Sequence, residues 1–411
     1  MFGNLLEVFD FIAYGTFAVP IGRAFFPAHD PYTSVLLSVA TFGVGFVTRP
    51  FGALVVGLLA DRSGRRAGML VSLALMGLGS LLIAVLPSYR VLGPLAPLLL
   101  VLARMIQGIA WGAEVGPTTA FLLETAPPGR EGLRASWQSA SQMLAVLAAG
   151  LLGLGADRIL GDAALSAWAW RIPFALGVLV LPVGFLLRRN LPDPPRPPVP
   201  SVPPSSRLRL LGVAGSLPLF CAFVVVTAGT VSQYFVNYVT TYALSVLHMP
   251  PALALAGTVV AGVCGLFAAL LGGVLSDRTG RVGIVVLPRL LLGLLILPLL
   301  WWLRAAPTAP VFVLVVAIVS ALQVSAFAGA VVLLLELFPP AIRSTGFGLL
   351  YAGAVSLFGG TAQIVFTWAI HATGDPAAPA WYLAAVNLLC VPAGLVLARN
   401  RRSISVVEHP A

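Results

Sequence analysis

Lysine is absent from this 411-residue chain, and acidic residues number only fourteen. Charged residues make up 9% of the sequence, where an average soluble domain has roughly 25%. So few charges cannot coat a soluble fold of this length, and an ordinary soluble enzyme and a disordered chain are both excluded. Cysteine is scarce too. Cys221, Cys264 and Cys390 lie in apolar runs, which gives neither a disulfide framework nor a metal-binding spacing. His29, His248, His371 and His409 fall at the ends of apolar runs or in the tail, so no metal site or proton wire is expected. Without lysine there is no phosphate-binding Gly-Lys loop, which excludes ATP drive within this chain. No nucleophile–base constellation appears, so the chain does not read as an enzyme.

Apolar residues are what the chain has instead, at 59% with a mean hydropathy of +0.99. That composition describes a polytopic membrane protein whose main partner is the bilayer. The net charge of +10 would point to nucleic acid in a soluble protein. Here it marks one membrane face, and no nucleic-acid partner is expected.

A helix crosses the hydrocarbon in about 20 residues. Twelve stretches qualify: 4–27, 34–60, 67–87, 94–124, 134–156, 168–189, 208–243, 251–275, 283–303, 310–337, 344–371 and 379–399. The first starts close to Met1 and is too long and too acidic for a cleaved signal peptide. The runs do not alternate, which argues against a membrane β-barrel. With Met1 inside, sixteen of the twenty-four arginines fall in cytoplasmic loops and the C-terminus, which places both termini in the cytoplasm. Residues 190–207 contain eight prolines and form an extended, semi-rigid linker. The expected organisation is therefore an N-terminal six-helix bundle (1–189), the linker (190–207), a C-terminal six-helix bundle (208–400) and a short tail (401–411).

The halves repeat. GLLADRSGRR (57–66) recurs as GVLSDRTGR (273–281), pairing Asp61 with Asp277 at an offset of 216. LLETAPPGR (122–130) recurs as LLELFPPAIR (334–343), pairing Glu124 with Glu336 at an offset of 212. Duplicated six-span halves are the build of secondary transporters that rock about a midplane site.

A charge at membrane depth costs at least about 2.5–3.5 kcal/mol, so each one must face protein, cavity or partner. Five such positions stand out: Glu7, Asp10, Arg49, Arg104 and Glu114. Glu7 and Asp10 are i,i+3 on one helix face, a stripe that Asn4 and Tyr14 extend. Two desolvated carboxylates this close resist joint ionisation, which suits them to carry protons; the alternative is a static pair with a neighbouring Arg. In span four, Arg104, Gln107, Trp111, Glu114 and Thr118 fall within an arc of roughly 80°. Arg104 is the candidate for holding a substrate carboxylate, because a guanidinium binds one bidentately. Glu114 is about 15 Å further along the helix, too far to pair with Arg104. It carries a proton or braces a neighbour.

In span seven, Thr227, Thr230, Tyr234, Asn237, Tyr238 and Thr241 make a neutral polar stripe suited to hydroxyl and carboxylate recognition. Gln138 and Gln142 in span five, and Tyr351 and Gln363 in span eleven, complete the candidate lining. Pro50 frees a carbonyl upstream, and Arg49 is expected to satisfy that carbonyl or an acid in span one, a structural role. Arg171, in Trp170-Arg171-Ile172-Pro173-Phe174, is expected to anchor a helix start at the outer interface.

The G-x-x-x-D-R-x-G-R-R loop after span two, repeated after span eight, resembles the signature of the major facilitator superfamily. GNLLEVFDFIAYG (3–15), TRPFG (48–52), RMIQGIAWGAE (104–114), LLETAPPGREG (122–132) and WAWRIPF (168–174) are similar to the metabolite:proton symporter family. WQSASQ (137–142), YAGAVSLFGGTAQ and TGDPAAPAWY look most like its citrate–proton and tricarballylate branch. Val8-Phe9 departs from the Trp-Tyr pair of many members. The resemblance implies twelve helices in two bundles, alternating access, and uptake of an organic anion or zwitterion with protons across a bacterial inner membrane, and a monomer is expected. No cofactor beyond the proton motive force is implied. It also implies a gating role for the loop residues Asp61, Arg62, Arg65, Arg66, Asp277, Arg278, Arg281, Glu124 and Glu336. Alternative cargoes within the fold are shikimate, 2-oxoglutarate, a betaine or an aromatic acid. A transport-inactive receptor is the alternative of a different class. Span five lacks the drug-antiporter Gly-Pro signature, and the tail lacks heptads.

Overall fold

A computed structural model describes residues 2–63, 65–112, 119, 122–123, 125–178, 182, 215–338 and 343–408. Side chains are described for these residues except 2–4, 6–7, 53, 57–58, 60–63, 65–66, 69, 328, 343–345 and 400–408. The described residues are helical and contain no strand.

The main helices are α1 (Phe2–Thr16), α2 (Ala18–Phe25), α3 (Pro31–Val47), α4 (Arg49–Ser63), α5 (Arg65–Val85), α6 (Leu95–Trp111) and α7 (Glu131–Leu160). The second half contributes α8 (Ser216–Ser245), α9 (Pro251–Thr279), α10 (Arg281–Ala305), α11 (Ala309–Leu335), α12 (Arg343–Ala354), α13 (Gly360–Thr373) and α14 (Pro379–Glu408). Among the described residues, eight helices are long and apolar enough to cross a membrane, or nine if a bent pair counts as one span. Leu70–Val85 and Leu95–Trp111 are shorter apolar helices at the third and fourth expected spans. The later part of the sixth expected span and the linker 190–207 lie outside the described residues.

The bent pair is α1–α2, which turn by 70° at Phe17. Pro20 has no N–H, and its ring excludes the carbonyl of Thr16, so the ladder breaks there. The start of α3 is set by Asp30, whose carboxylate accepts from the backbone N–H of Tyr32 (3.1 Å) and Thr33 (3.3 Å), with Pro31 at the first helical position. Between α3 and α4, the Thr48 N–H takes the Phe46 carbonyl that Pro50 cannot reach. Arg49 is therefore not needed for that carbonyl. Span eleven is interrupted by a π-helical turn, Val355–Gly359, between α12 and α13. The last helix continues to Glu408, into the short tail that follows the last span; Arg399, Arg401 and Arg402 favour a helix, and no proline intervenes before Pro410.

Among the described residues, the two halves meet chiefly where α7 packs against α9 and α3 against α13. Both depend on missing side chains. A Cβ on Gly262 of α9 would lie 2.6 Å from the Leu147 nitrogen, and one on Gly43 of α3 would lie 2.4 Å from the Gly360 carbonyl oxygen. Small residues let helix backbones approach without a rigid interlock of large side chains, which suits surfaces that slide.

Candidate functional site

A chain of four buried polar side chains crosses the core of the first half. Arg104 Nη1 donates to Gln107 Oε1 (2.6 Å), Gln107 Nε2 donates to Ser80 Oγ (2.9 Å), and Ser80 Oγ donates to Asp10 Oδ2 (2.5 Å). Arg104 and Gln107 are fully buried, and Asp10 is 2% exposed. Asp10 and Arg104 thus communicate through neutral groups rather than as a direct ion pair. Asp10 Oδ1 has no hydrogen-bond partner, and Ser80 is also within 3.1 Å of the Met76 carbonyl. Ser80 was not singled out from the sequence. A lone serine in an apolar span carries no signal until the fold sets it beside Asp10.

Arg49 lies against aromatic rings. Its Cζ is 3.5 Å from the ring centroid of Trp111, 4.0 Å from that of Phe46 and 5.1 Å from that of Phe11. The phenols of Tyr234 and Tyr351 are close enough to interact with it electrostatically. Among the described residues no carboxylate pairs with it. The expected acid in span one is replaced here by ring faces, which attract a guanidinium through their quadrupoles. Tyr14 lies beneath Arg104, 4.5 Å from its Cζ, and donates to the Ser38 carbonyl at 3.4 Å.

A cavity of about 40 Å³ separates the halves at mid-depth. Phe11, Trp111 and Gln142 line it from the first half, and Thr230, Gln233, Tyr234, Asn237, Gln323 and Tyr351 from the second. That volume holds a few waters and no tricarboxylate, so this form is nearly collapsed around its centre. The span-seven stripe divides. Thr230, Tyr234 and Asn237 face the cavity, whereas the Tyr238 hydroxyl bonds Thr367 at 2.9 Å and Thr241 donates to the Gly15 carbonyl at 3.4 Å. Tyr238 instead lines a vestibule of about 820 Å³ at one end of the molecule, with Arg23, Tyr32, His248 and His371. The Tyr32 and His371 rings stack there at 3.7 Å across the two halves. Gln138 was expected to face the cavity with Gln142, but it is buried and accepts from the Thr119 hydroxyl at 2.9 Å. Gln363 is fully buried outside the cavity lining, with neither amide atom bonded.

The second half holds a buried cation that the sequence reading missed. Arg289, 2% exposed, donates to the Ala228 carbonyl (3.3 Å), the Gln323 carbonyl (3.5 Å) and Asn387 Oδ1 (3.1 Å). Gln323 in turn donates to Gln233 Oε1 at 3.3 Å, on the cavity wall. The sequence signal for Arg289 is its position well inside the 283–303 stretch.

At the end opposite the vestibule, the halves are clasped. Asp277, at the end of α9, accepts from the backbone N–H of Gly132 (2.6 Å) and Leu133 (2.9 Å) in the first turn of α7. Its carboxylate therefore caps the positive end of a helix from the other half. Arg281 pairs with Glu131 across the same seam at 3.6 Å and with Glu336 within its own half. Arg278 is exposed at the end of α9. Arg171 donates to the Leu86 carbonyl at 2.9 Å and lies 4.3 Å over the buried Trp170 ring, in a 3₁₀ turn at Ala169–Arg171. The side chains of Glu7, Asp61, Arg62, Arg65, Arg66, Glu114 and Glu124 lie outside the described residues.

Two glycine-packed halves, a central polar cavity, a clasp at one end and a vestibule at the other define a two-bundle membrane carrier. The chain belongs to the Major Facilitator Superfamily, whose pattern it matches over residues 1–362. It is 37% identical to a citrate-proton symporter of Salmonella typhi, over 100% of this chain and 95% of that protein. It is 35% identical to a citrate-proton symporter of Klebsiella pneumoniae, over 93% and 86% respectively. The fold is similar to that of the xylose transporter XylE from E. coli in a partially occluded inward-open conformation, with a TM-score of 0.77, 16% identity and coverage of 97% and 95%.

Proposed function

We propose that this protein is a proton-coupled symporter that imports a small organic carboxylate, of the citrate or tricarballylate kind, by alternating access. The observation that carries this reading is the Arg104–Gln107–Ser80–Asp10 chain. Arg104 offers a carboxylate-binding guanidinium, and Asp10 offers a carboxylate that can take a proton.

The serine couples the two. While Asp10 is ionised, Ser80 gives it a hydrogen bond. When Asp10 takes a proton on Oδ2, it becomes the donor, and Ser80 turns its own proton to the Met76 carbonyl. Ser80 Oγ still accepts from Gln107 in both states, so Gln107 and Arg104 keep their places. Neutralising Asp10 leaves the Arg104 charge less compensated, which favours an incoming anion. One guanidinium does not balance a trivalent anion in a low dielectric, so citrate travels partly protonated or with further cations.

By the arginine distribution, the clasped end is cytoplasmic and the vestibule faces outward. Both termini then lie on the cytoplasmic side of a bacterial inner membrane. The form described is then closed to the cytoplasm. No chemical transformation is assigned, and the proton gradient is the energy source.

Reconstituted vesicles test the reading. An inward proton gradient should drive uptake of citrate or tricarballylate. Asp10→Asn should abolish gradient-driven accumulation while retaining exchange of labelled for unlabelled substrate. Uptake of shikimate, 2-oxoglutarate or a betaine in place of the tricarboxylates would assign a different cargo to the same fold. Binding without flux would make the protein a receptor.

A further inference from the structure

Arg49 and Arg104 have the same unmet chemistry. Arg49 is 5% exposed and Arg104 fully buried, yet in both side chains Nε and Nη2 make no hydrogen bond. Both guanidiniums stand on the Phe11 ring, with Cζ 5.1 Å and 4.3 Å from its centroid, which keeps them within about 9 Å of each other. Ring faces offset part of each charge but accept none of these N–H groups in an ordinary hydrogen bond. The two cations also repel one another. Among the described residues Asp10 is the one acid buried in this region, and it is engaged by Ser80. Buried N–H donors without acceptors are costly, and four such nitrogens on two neighbouring cations require a ligand rich in anionic oxygens. Around Arg49, Phe11, Trp111, Tyr234 and Tyr351 all line the central cavity, so a small movement of these rings opens the guanidinium to it.

We propose that Arg49 and Arg104 form a two-point anion site in which each guanidinium takes one carboxylate of the same substrate, with the Phe11 ring against both. This rests on the carboxylate-symporter reading and narrows it to ligands with at least two carboxylates. Hydrogen bonds of about 2.8 Å at each end let one small dicarboxylate bridge the gap. A monocarboxylate engages only one end, and Arg104 holds it alone.

The test is isothermal titration of the purified full-length protein with tricarballylate, glutarate and butyrate, which carry three, two and one carboxylates. Wild type should prefer glutarate to butyrate by at least about 10-fold, the scale of one added charge-assisted contact. Arg49→Gln should lose about 10–100-fold for tricarballylate and glutarate and leave butyrate unchanged, and Arg49→Lys should recover part of the loss. A glutarate-to-butyrate ratio that Arg49→Gln does not alter overturns the two-point site, whether all affinities fall together or none does. If Arg49→Gln does not fold, the wild-type series decides, and equal affinities for glutarate and butyrate refute the site. If wild type binds none of the three and no citrate, the carboxylate reading itself fails.

Discussion

Replacing Asp277 by Asn perturbs the closed end of the molecule with little change in shape. The carboxylate accepts two backbone N–H bonds, at 2.6 and 2.9 Å, from Gly132 and Leu133 at the start of α7. Asn keeps one acceptor oxygen, loses one of the two bonds and removes the negative charge from the helix N-terminus. A lost charge-assisted bond is worth about 1.5–3 kcal/mol, and the charge–dipole part about 0.3–1 kcal/mol at a partly exposed site. Asp277 is half-buried, so about 1.5–2 kcal/mol is the reasonable expectation at this solvated seam. Because 1.4 kcal/mol is a factor of ten, the clasped state should lose about 10–30-fold relative to the open one. Spin labels at the exposed positions Arg134 and Thr279, on opposite sides of the seam, would report this as growth of a long-distance population in electron–electron resonance. Gly132→Ala provides an independent perturbation, since its Cβ would fall 2.7 Å from both Asp277 Oδ1 and the Gly273 carbonyl. If both variants keep the wild-type distance distribution, the clasp does not hold this end closed and the reasoning is wrong.

Other perturbations reach the core. Gly177→Ala would set a Cβ 2.1 Å from Asp10 Oδ1; vesicle uptake driven by a proton gradient should fall more than about 10-fold while the yield of folded protein stays normal. Ser80→Ala removes the link shared by Asp10 and Gln107, and should uncouple uptake from the gradient, read as substrate flux that no longer carries protons. Asn387→Leu takes one of three acceptors from the buried Arg289, and should destabilise the second half by about 1–3 kcal/mol, seen as a lowered melting temperature in detergent.

The spans were legible because the apolar runs are long, and the two-half plan because Asp61/Asp277 and Glu124/Glu336 recur at nearly one offset. Asp10, Arg104 and Gln107 were legible as polar residues where polarity is expensive. Gln138 and Tyr238 were assigned to the cavity because helical periodicity gives a direction around an axis but no depth along it. The fold puts Tyr238 at the vestibule and turns Gln138 to Thr119. Arg49 shows a different limit. Its proximity to Pro50 pointed to backbone repair, whereas Thr48 does that repair and the aromatic rings of three other helical stretches receive the guanidinium.

The sequence by itself determined that this chain lives in a membrane, crosses it in two related halves and carries few charges inside its spans. All of these follow from transfer free energies that act residue by residue, and from repetition along the chain. Only the tertiary structure decided which of those charges meet. Ser80 between Asp10 and Gln107, Phe11 against two guanidiniums, and Asp277 on a helix end of the opposite half each join residues distant in sequence, and hydrogen bonds and ring contacts act only over a few ångströms.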